Sequence, residues 1–434
     1  MSKEPNLTVQ IRSIAVGGAG VGEVSAQDNG GSDLLGITAF VPFTAVGEKV
    51  HARLLQRKDR YVNAELLSVL EPSDERVKPQ CPYYTNCGGC ELQHISQSGQ
   101  KRAKEQMIGS ALKAGKVSVS VLETLQPLYQ ASPYGYRRRV SLHIDSSGRV
   151  GFYRSNTRSV VPLTSCDIAV PAINEKLSNI QDLGRALQGK ISSLQIEADD
   201  QGVVAVLNAP YALTKVEVRD VLAHARNFFD NVSVNCSGKE TDGIGRRILK
   251  LPLSESGTVS LQVPAGHFSQ VNWEINRKLV EQILEFSEAE RGTEVLDLYA
   301  GAGNYSIPLA RLGAHVTAVE ADRDLVTFGR DNSSRSSLRG KLEFACSSVE
   351  AFLKGKQNLS PQVVIANPPR SGLGHVVQML PKAEKLLLVS CHLPSLVRDL
   401  KAIVEQGWAV KTIQPFDMFA QTSYVEVLTV FEKA

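Results

Sequence analysis

The chain has 434 residues, 42% hydrophobic and 21% charged, with a formal net charge of +3, proportions that fit about three globular domains and exclude a disordered or fibrous chain. So small a net charge excludes a whole-molecule field for polyanions, so any nucleic-acid surface must be a local patch. No apolar run of about 18 residues exists to span a membrane, and the polar start MSKEPNLTV argues against a secretory signal, so a cytoplasmic, multidomain protein is expected.

Residues 5–72 read as all-β. Leu7, Val9 and Ile11 alternate at period two before the turn Gly17-Gly18-Ala19-Gly20-Val21-Gly22, and ITAFVPF (37–43), EKVHARLLQ (48–56) and YVNAELLSVLE (61–71) follow as strands. A small barrel over 1–74 is expected. Arg53, Arg57, Lys58 and Arg60 gather around one of its turns, either as a phosphate-contacting edge or as a solvated basic loop. A linker, 71–79, leads into three cysteines. Residues 96–116 then read as an amphipathic helix with Met107, Ile108 and Leu112 near one face and a stop at Gly115. From Tyr134 to Pro264 the pattern returns to β-hairpins, RRVSLHI–DSSG–RVGFYR and SLQIEAD–DQG–VVAVLNA, with Asp and Gly at the turns. After Gly266 the strands TEVLDLY (293–299), HVTAVEAD (315–322), VVIANPP (363–369) and LLLVSCH (386–392) alternate with helical stretches. That alternation predicts a doubly wound parallel sheet, with ligands at the carboxyl ends of its strands.

The chemistry-bearing residues fall at those ends. Gly301 and Gly303 follow the first strand and let a ligand approach the backbone. Ser306 stands where a dinucleotide fingerprint needs a third glycine, and Glu320 ends the next strand, placed to accept from both hydroxyls of a ribose. This pattern points to S-adenosylmethionine rather than a dinucleotide. Asn367, stiffened by Pro368 and Pro369, is placed to read the edge of a planar base. Cys391 lies between a buried strand and a helix N-terminus, which should lower the thiol pKa, although a cysteine at a strand end is as readily a packing residue. Glu426 stands among Val425, Val427 and Leu428, where a carboxylate needs a partner or a task; Cys391 and Glu426 together suggest covalent chemistry with proton abstraction.

Of seven cysteines, Cys81, Cys87 and Cys90 lie within ten residues. In a reducing compartment such a cluster indicates a metal. Cys166 is the candidate fourth ligand, and four thiolates suit zinc as well as iron–sulfur. Cys236 and Cys346 read as packing residues.

Taken together, Cys81-x5-Cys87-Gly-Gly-Cys90 with Gln93-His94, Tyr136-Arg137-Arg138-Arg139, Gly151-Phe152-Tyr153-Arg154, Phe268-Ser269-Gln270-Val271-Asn272, the Asp297–Asn304 turn, Pro368-Pro369-Arg370, Val389-Ser390-Cys391, Asp417-Met418-Phe419 and Val425-Glu426 resemble the RNA (uracil-5-)-methyltransferase family. The resemblance covers nearly the whole chain and is strongest to the 23S ribosomal RNA branch that carries an iron–sulfur cluster and a TRAM domain. It implies a multidomain α/β chain: an OB-like TRAM barrel over 1–74, a central β domain with the cysteine cluster over 75–95 and 128–265, and a Rossmann-like class I methyltransferase domain over 96–127 and 266–434. It also implies 5-methyluridine formation in RNA by a monomer, with Cys391 as nucleophile and Glu426 as base. Gln270, Tyr299, Gly301, Asn304, Glu320 and Asn367 would line the S-adenosylmethionine and base pocket, and Cys81, Cys87, Cys90 and Cys166 would hold a 4Fe–4S cluster. The barrel and Arg137, Arg138 and Arg139 are expected to contact phosphates. Where the family has Asp this chain has Asn367, where it has Asn it has His392, and Gln421 and Tyr424 replace two histidines.

Overall fold

The computed structural model describes residues 5–28, 32–254, 259–356 and 359–433. Strands β1 (Asn6–Ile14), β2 (Gly20–Gln27), β3 (Thr38–Val41), β4 (Lys49–Arg57) and β5 (Tyr61–Glu71) close into a barrel in the order β1-β2-β3-β5-β4. Alternate side chains fill it: Leu7, Val9, Val50, Ala52 and Val62 are fully buried, as period-two patterning requires. Closure leaves no open sheet edge.

Helix α1 (Gln97–Ala114) is capped by Ser96, whose hydroxyl accepts from the Gly99 N–H at 3.0 Å. Met107, Ile108 and Leu112 join one core of the C-terminal sheet. The same helix buries Gln100 and Lys104, which its apolar stripe does not account for. Lys104 Nζ donates to Asp417 Oδ1 at 2.5 Å and to the Phe419 carbonyl at 3.2 Å, while the Gln100 amide donates to Gln421 Oε1 and accepts from the Gln421 N–H. Breaking such a buried ion pair costs about 3–5 kcal/mol, so α1 anchors the segment from Asp417 to Gln421. After the short helix α2 (Val119–Leu122), the N–H groups of Gln126 and Tyr129 donate to the Ile413 and Pro415 carbonyls.

The middle of the chain holds β6 (Arg139–Ile144), β7 (Val150–Tyr153), β8 (Val160–Pro162), α3 (Pro171–Leu177), α4 (Ile180–Ala186), β9 (Ser193–Asp199), β10 (Gly202–Ala209), α5 (Lys215–Ala225), β11 (Val232–Cys236) and β12 (Lys239–Ile244). The strands form one sheet ordered β12-β11-β10-β9-β6-β7-β8. Both expected hairpins are present, but the region is α/β rather than all-β. Ile173, Leu177, Ile180, Leu183 and Leu187 recur at helical spacing and are fully buried, because α3 and α4 pack their apolar sides into the core of this sheet.

A hairpin, β13 (Ile248–Pro252) with β14 (Ser260–Pro264), leads into α6 (Trp273–Ser287). The C-terminal unit follows as β15 (Glu294–Leu298), α7 (Ser306–Leu312), β16 (His315–Glu320), α8 (Arg323–Arg335), β17 (Leu342–Cys346), α9 (Val349–Gly355), β18 (Val363–Ala366), β19 (Lys385–Ser390), α10 (Leu393–Glu405), β20 (Trp408–Phe416) and β21 (Glu426–Lys433). Its sheet order is β17-β16-β15-β18-β19-β21-β20. Strands β15 to β19 run parallel, and β21 is antiparallel to both β19 and β20. Leu386 and Leu388 face one core and Leu387 and Val389 the other, the near-continuous apolar strand of a sheet covered on both faces. The chain winds outward from β15 to β17 on one side and from β18 on the other, so the crevice opens between β15 and β18. Cys236 packs half-buried against the central core, whereas Cys346 is exposed rather than a packing residue. No described helix is long and apolar enough to cross a membrane.

Candidate active site

The turn after β15 is built on unusual dihedrals. Tyr299 has φ 63°, Gly301 φ 57° and Gly303 φ 101°; for Tyr299, a bulky residue in the left-handed region, this is stored strain of the kind found at functional sites. The turn is pinned from below. Asp297, fully buried, accepts from the Ser306 hydroxyl at the start of α7, and burial raises its carboxyl to about 7. Glu320 accepts from the Gly301 N–H at 2.9 Å and from the Ala321 and Asp322 N–H groups at 2.8 and 2.9 Å. The carboxylate is thereby oriented across the turn and retains lone pairs for a ligand.

Gln270, Tyr299, Gly301, Asn304 and Asn367 line one pocket, walled by Leu251, Leu261 and Val263 of the β13–β14 hairpin and by Trp273 and Tyr305. Glu320 lies outside that lining, one hydrogen bond behind Gly301. Five of the six expected pocket residues thus converge directly and the sixth through the backbone. Asn367 Nδ2 donates to the Tyr305 hydroxyl at 3.1 Å. Asn304 and Asn276 exchange amide bonds of 3.0 and 3.1 Å.

Cys391 and Glu426 meet through strand register. Ser390 on β19 pairs with Val427 on β21, and the next rung of an antiparallel ladder sets residue 391 opposite 426. Glu426 is 3% exposed, and burial raises its carboxyl to about 8. The Cys391 thiol is pushed up as well, by burial and then by the Glu426 carboxylate, while the positive charge of the nearby Arg370 guanidinium opposes both. This corrects the expectation of a thiol depressed by the helix N-terminus: α10 begins beyond the cysteine, and a facing acid outweighs it. Arg370 also lies over the Tyr424 ring, 4.9 Å from its centroid. Its carbonyl accepts from the Ser395 hydroxyl at 2.7 Å, and that hydroxyl bonds His392 Nδ1 at 2.8 Å. Asp399 of α10 accepts from the Leu373 and Gly374 N–H groups at 2.6 and 3.1 Å, so the loop after Pro369 is held to α10.

Cys81, Cys87, Cys90 and Cys166 line a second cavity of about 320 Å³, together with Arg137, Arg370 and Tyr424. Burial raises all four thiols, Cys166 to about 11. Among the described residues only His267, Asp322 and Asp324 bring three ligand atoms within 4.8 Å of one another, so no three of the four sulfurs are gathered that closely.

Several of the basic residues expected at phosphates also have partners within the protein. Arg53 pairs with Glu65 and Arg57 with Asp33; Arg138 pairs with Asp200 at 3.1 Å. Arg139 donates to the His267 carbonyl at 3.1 Å and lies 5.7 Å from the centroid of Phe268 at the pocket rim. Arg137 faces the cysteine cavity. Tyr305, Asn276, Arg370 and Lys104 went unrecognised as site residues; a buried Asn on the apolar side of α6 was the one sequence signal available.

Known proteins with these features were found by comparison. A family model described as tRNA (Uracil-5-)-methyltransferase matches residues 250–434. The 23S rRNA (uracil(1939)-C(5))-methyltransferase RlmD of Shewanella baltica (strain OS223) is 32% identical over 418 residues, 92% of this chain and 91% of that protein. That of Shewanella sediminis (strain HAW-EB3) is 30% identical, covering 94% of this chain and 95% of its own. The crystal structure of Pyrococcus abyssi tRNA (uracil-54, C5)-methyltransferase in complex with S-adenosyl-L-homocysteine superposes with a TM-score of 0.73 at 20% identity, covering 98% of this chain and 99% of that one.

The buried acid sets a pH dependence. With its pKa raised from 4.5 to about 8, Glu426 holds a proton in the folded chain that the unfolded chain releases, so stability falls as pH rises through that window, by roughly 5 kcal/mol in all. Glu426→Gln removes this loss. The variant should gain thermal stability relative to the unsubstituted protein between pH 5 and pH 9; a gap in melting temperature that stays constant would contradict a buried titrating carboxyl.

Proposed function

Because the chain belongs to the RNA (uracil-5-)-methyltransferase family, we propose that it transfers a methyl group from S-adenosylmethionine to carbon 5 of one uridine in 23S ribosomal RNA through a covalent Cys391 adduct. The observation that carries this reading is the β19–β21 register, which sets a thiol beside a buried carboxyl at the end of the strand next to β18, whose following residue Asn367 lines the pocket with four other expected residues.

Carbon 5 of uracil is too weak a nucleophile to attack a sulfonium unaided. The Cys391 sulfur, as thiolate, adds to carbon 6 and makes the ring an enolate. Carbon 5 then takes the methyl group, Glu426 removes the carbon-5 proton, and the C–S bond breaks to return the thiolate. Charge orders these steps. The Glu426 carboxylate adds to the cost of ionising Cys391, and forming the C–S bond leaves a neutral thioether. That bond therefore removes the like charge facing Glu426 before Glu426 acts as base. The positive charge of Arg370, near the sulfur, favours the thiolate that attacks and later leaves. Both faces of the ring must be reached, so the uridine is flipped from any stack. Glu320 would accept from the cofactor ribose, with Gln270, Tyr299, Gly301 and Asn304 around it and Asn367 at the base.

The barrel is read as a TRAM domain, and the cysteine cavity as the seat of a 4Fe–4S cluster. A single tetrahedral zinc at about 2.3 Å from each sulfur draws the sulfurs to roughly 3.8 Å apart; a 320 Å³ space in which no three sulfurs are within 4.8 Å of one another favours a larger group. Such a cluster would cross-link its cysteine loops; methyl transfer itself needs no electron. The Cys87–Glu91 segment lies against the catalytic loop, the Glu91 and Leu92 N–H groups donating to the Gln421 carbonyl.

Protein purified without oxygen should contain about four irons and four acid-labile sulfides per chain; stoichiometric zinc without sulfide would overturn the cluster. Mass-spectrometric mapping of 23S ribosomal RNA from cells lacking the protein should show one 5-methyluridine missing, restored by the intact chain and not by Cys391→Ser. An unchanged RNA, or full activity of Cys391→Ser, would overturn the reaction.

A further inference from the structure

We propose that the glycine turn of the barrel is a positioning element for the base: Gly17 and Gly18 seat Ser423, and Ser423 aims Glu426 for the step that resolves the adduct. The inference rests on the uridine reading above. It begins from where Glu426 stands. Ser390–Val427 is the last rung between β19 and β21, and Phe416–Glu426 the last between β20 and β21. Glu426 is thus the first residue of its strand, one position beyond the rung that ties β21 to the strand before the thiol. A strand end is held by its ladder from one side only, so the chain entering it sets the rest. That chain is the loop 417–425. Cys391, by contrast, follows β19, which is also paired to β18 and owes nothing to the loop.

Ser423, three residues before Glu426, is buried and held from two sides. Its N–H donates to the Glu91 carboxylate at 3.1 Å, and its hydroxyl oxygen accepts from the Gly17 N–H at 3.2 Å. Both donors are backbone N–H groups, so neither bond can run the other way. The barrel turn is shaped to offer the second one. Beyond the rung Ile14–Gly20, the Ala15 N–H bonds the Ala19 carbonyl at 2.8 Å and the Gly18 N–H bonds the Ala15 carbonyl at 2.9 Å, which leaves the Gly17 N–H for Ser423. Gly17 and Gly18 have φ of 100° and 82°, a region that glycine alone enters freely. Gly18 is also packed on Glu91: a Cβ there would stand 2.5 Å from the Glu91 Cβ. Glycine is therefore required by the turn and again by the residue that holds Ser423. The turn is itself anchored, because Ile14 and Ala45 of the barrel share one core with Leu92 and Ile108.

A small displacement of a catalytic group costs rate steeply. Here it falls on the step in which Glu426 takes the carbon-5 proton and the C–S electrons return to sulfur, and not on addition of the sulfur to carbon 6. Ser423→Ala removes the acceptor of Gly17, and Gly18→Ala drives a methyl group against Glu91. Attack is timed on RNA carrying 5-fluorouridine at the target, whose fluorine the base cannot remove, so the adduct persists. Resolution is timed on the same RNA with uridine, by the covalent complex seen on a denaturing gel and the methylated RNA released. In both variants adduct formation should stay within about twofold. Release should slow about tenfold, the worth of one oriented hydrogen bond, so that covalent complex accumulates on uridine RNA. If Gly18→Ala does not fold, Ser423→Ala decides alone. Weaker RNA binding with no accumulated complex would make the barrel an RNA contact only and overturn the proposal. Both steps slowing together, or neither, would overturn it too. An unsubstituted chain that forms no adduct on the fluorouridine RNA overturns the parent reading and this one with it.

Discussion

The antiparallel pairing of the last strand with β19 is the constraint on which the site depends. Strands β15 to β19 alone would make a parallel sheet with a thiol at one strand end. Adding β21 in reverse brings its first residue, Glu426, to that same end. A carboxyl buried there is unfavourable by itself, and the thiol beside it is pushed the same way. The two groups are held on facing strands at a cost to stability, and for Glu426 that cost brings its carboxyl to about 8, close to releasing or taking a proton near neutral pH.

Much of the remaining chain holds that pair in place. Segment 417–425 connects β20 to Glu426, and α1 clamps it through Lys104 and Gln100. The cysteine segment contributes as well: the Glu91 carboxylate accepts from the Ser423 N–H at 3.1 Å, and Tyr136, packed with Cys90 and Cys166, donates to the Ala420 carbonyl at 2.8 Å. On the opposite side Arg370 lies over the Tyr424 ring, its backbone carbonyl held by Ser395 on α10. The catalytic loop is therefore fastened by α1, by the cysteine loops and, through Arg370, by α10, which gives three distant stretches of sequence a common purpose.

What could be read in advance follows from the range of each signal. Period-two alternation exposed the barrel strands, and apolar runs ending in glycine, Asn-Pro-Pro or Ser-Cys exposed β15, β18 and β19, because strand and turn chemistry are local. The glycine turn, Glu320, Asn367, Cys391 and Glu426 stood out because their types are expensive or unusual where they occur. Three kinds of feature escaped. Helices α3 and α4 carry a readable helical spacing but sit between hairpins that dominate the pattern. Lys104–Asp417 and Gln100–Gln421 join residues more than 300 positions apart, which no periodicity reports. The arginines declared charge but not partners, and Glu65, Asp33 and Asp200 claim three of them. The depressed thiol failed for a similar reason: the helix was visible beside Cys391, whereas the acid facing it comes from another strand.

In the proposed reaction, reversible attachment of the Cys391 sulfur to a pyrimidine ring is the step that everything else serves. Its most direct measurement is peptide mass mapping of the chain after incubation with S-adenosylmethionine and RNA carrying 5-fluorouridine at the target. The account predicts one modified peptide, containing Cys391 and heavier by a methylated fluoropyrimidine nucleotide. A nucleotide on any other cysteine, or methylated RNA with no covalent species, would contradict it.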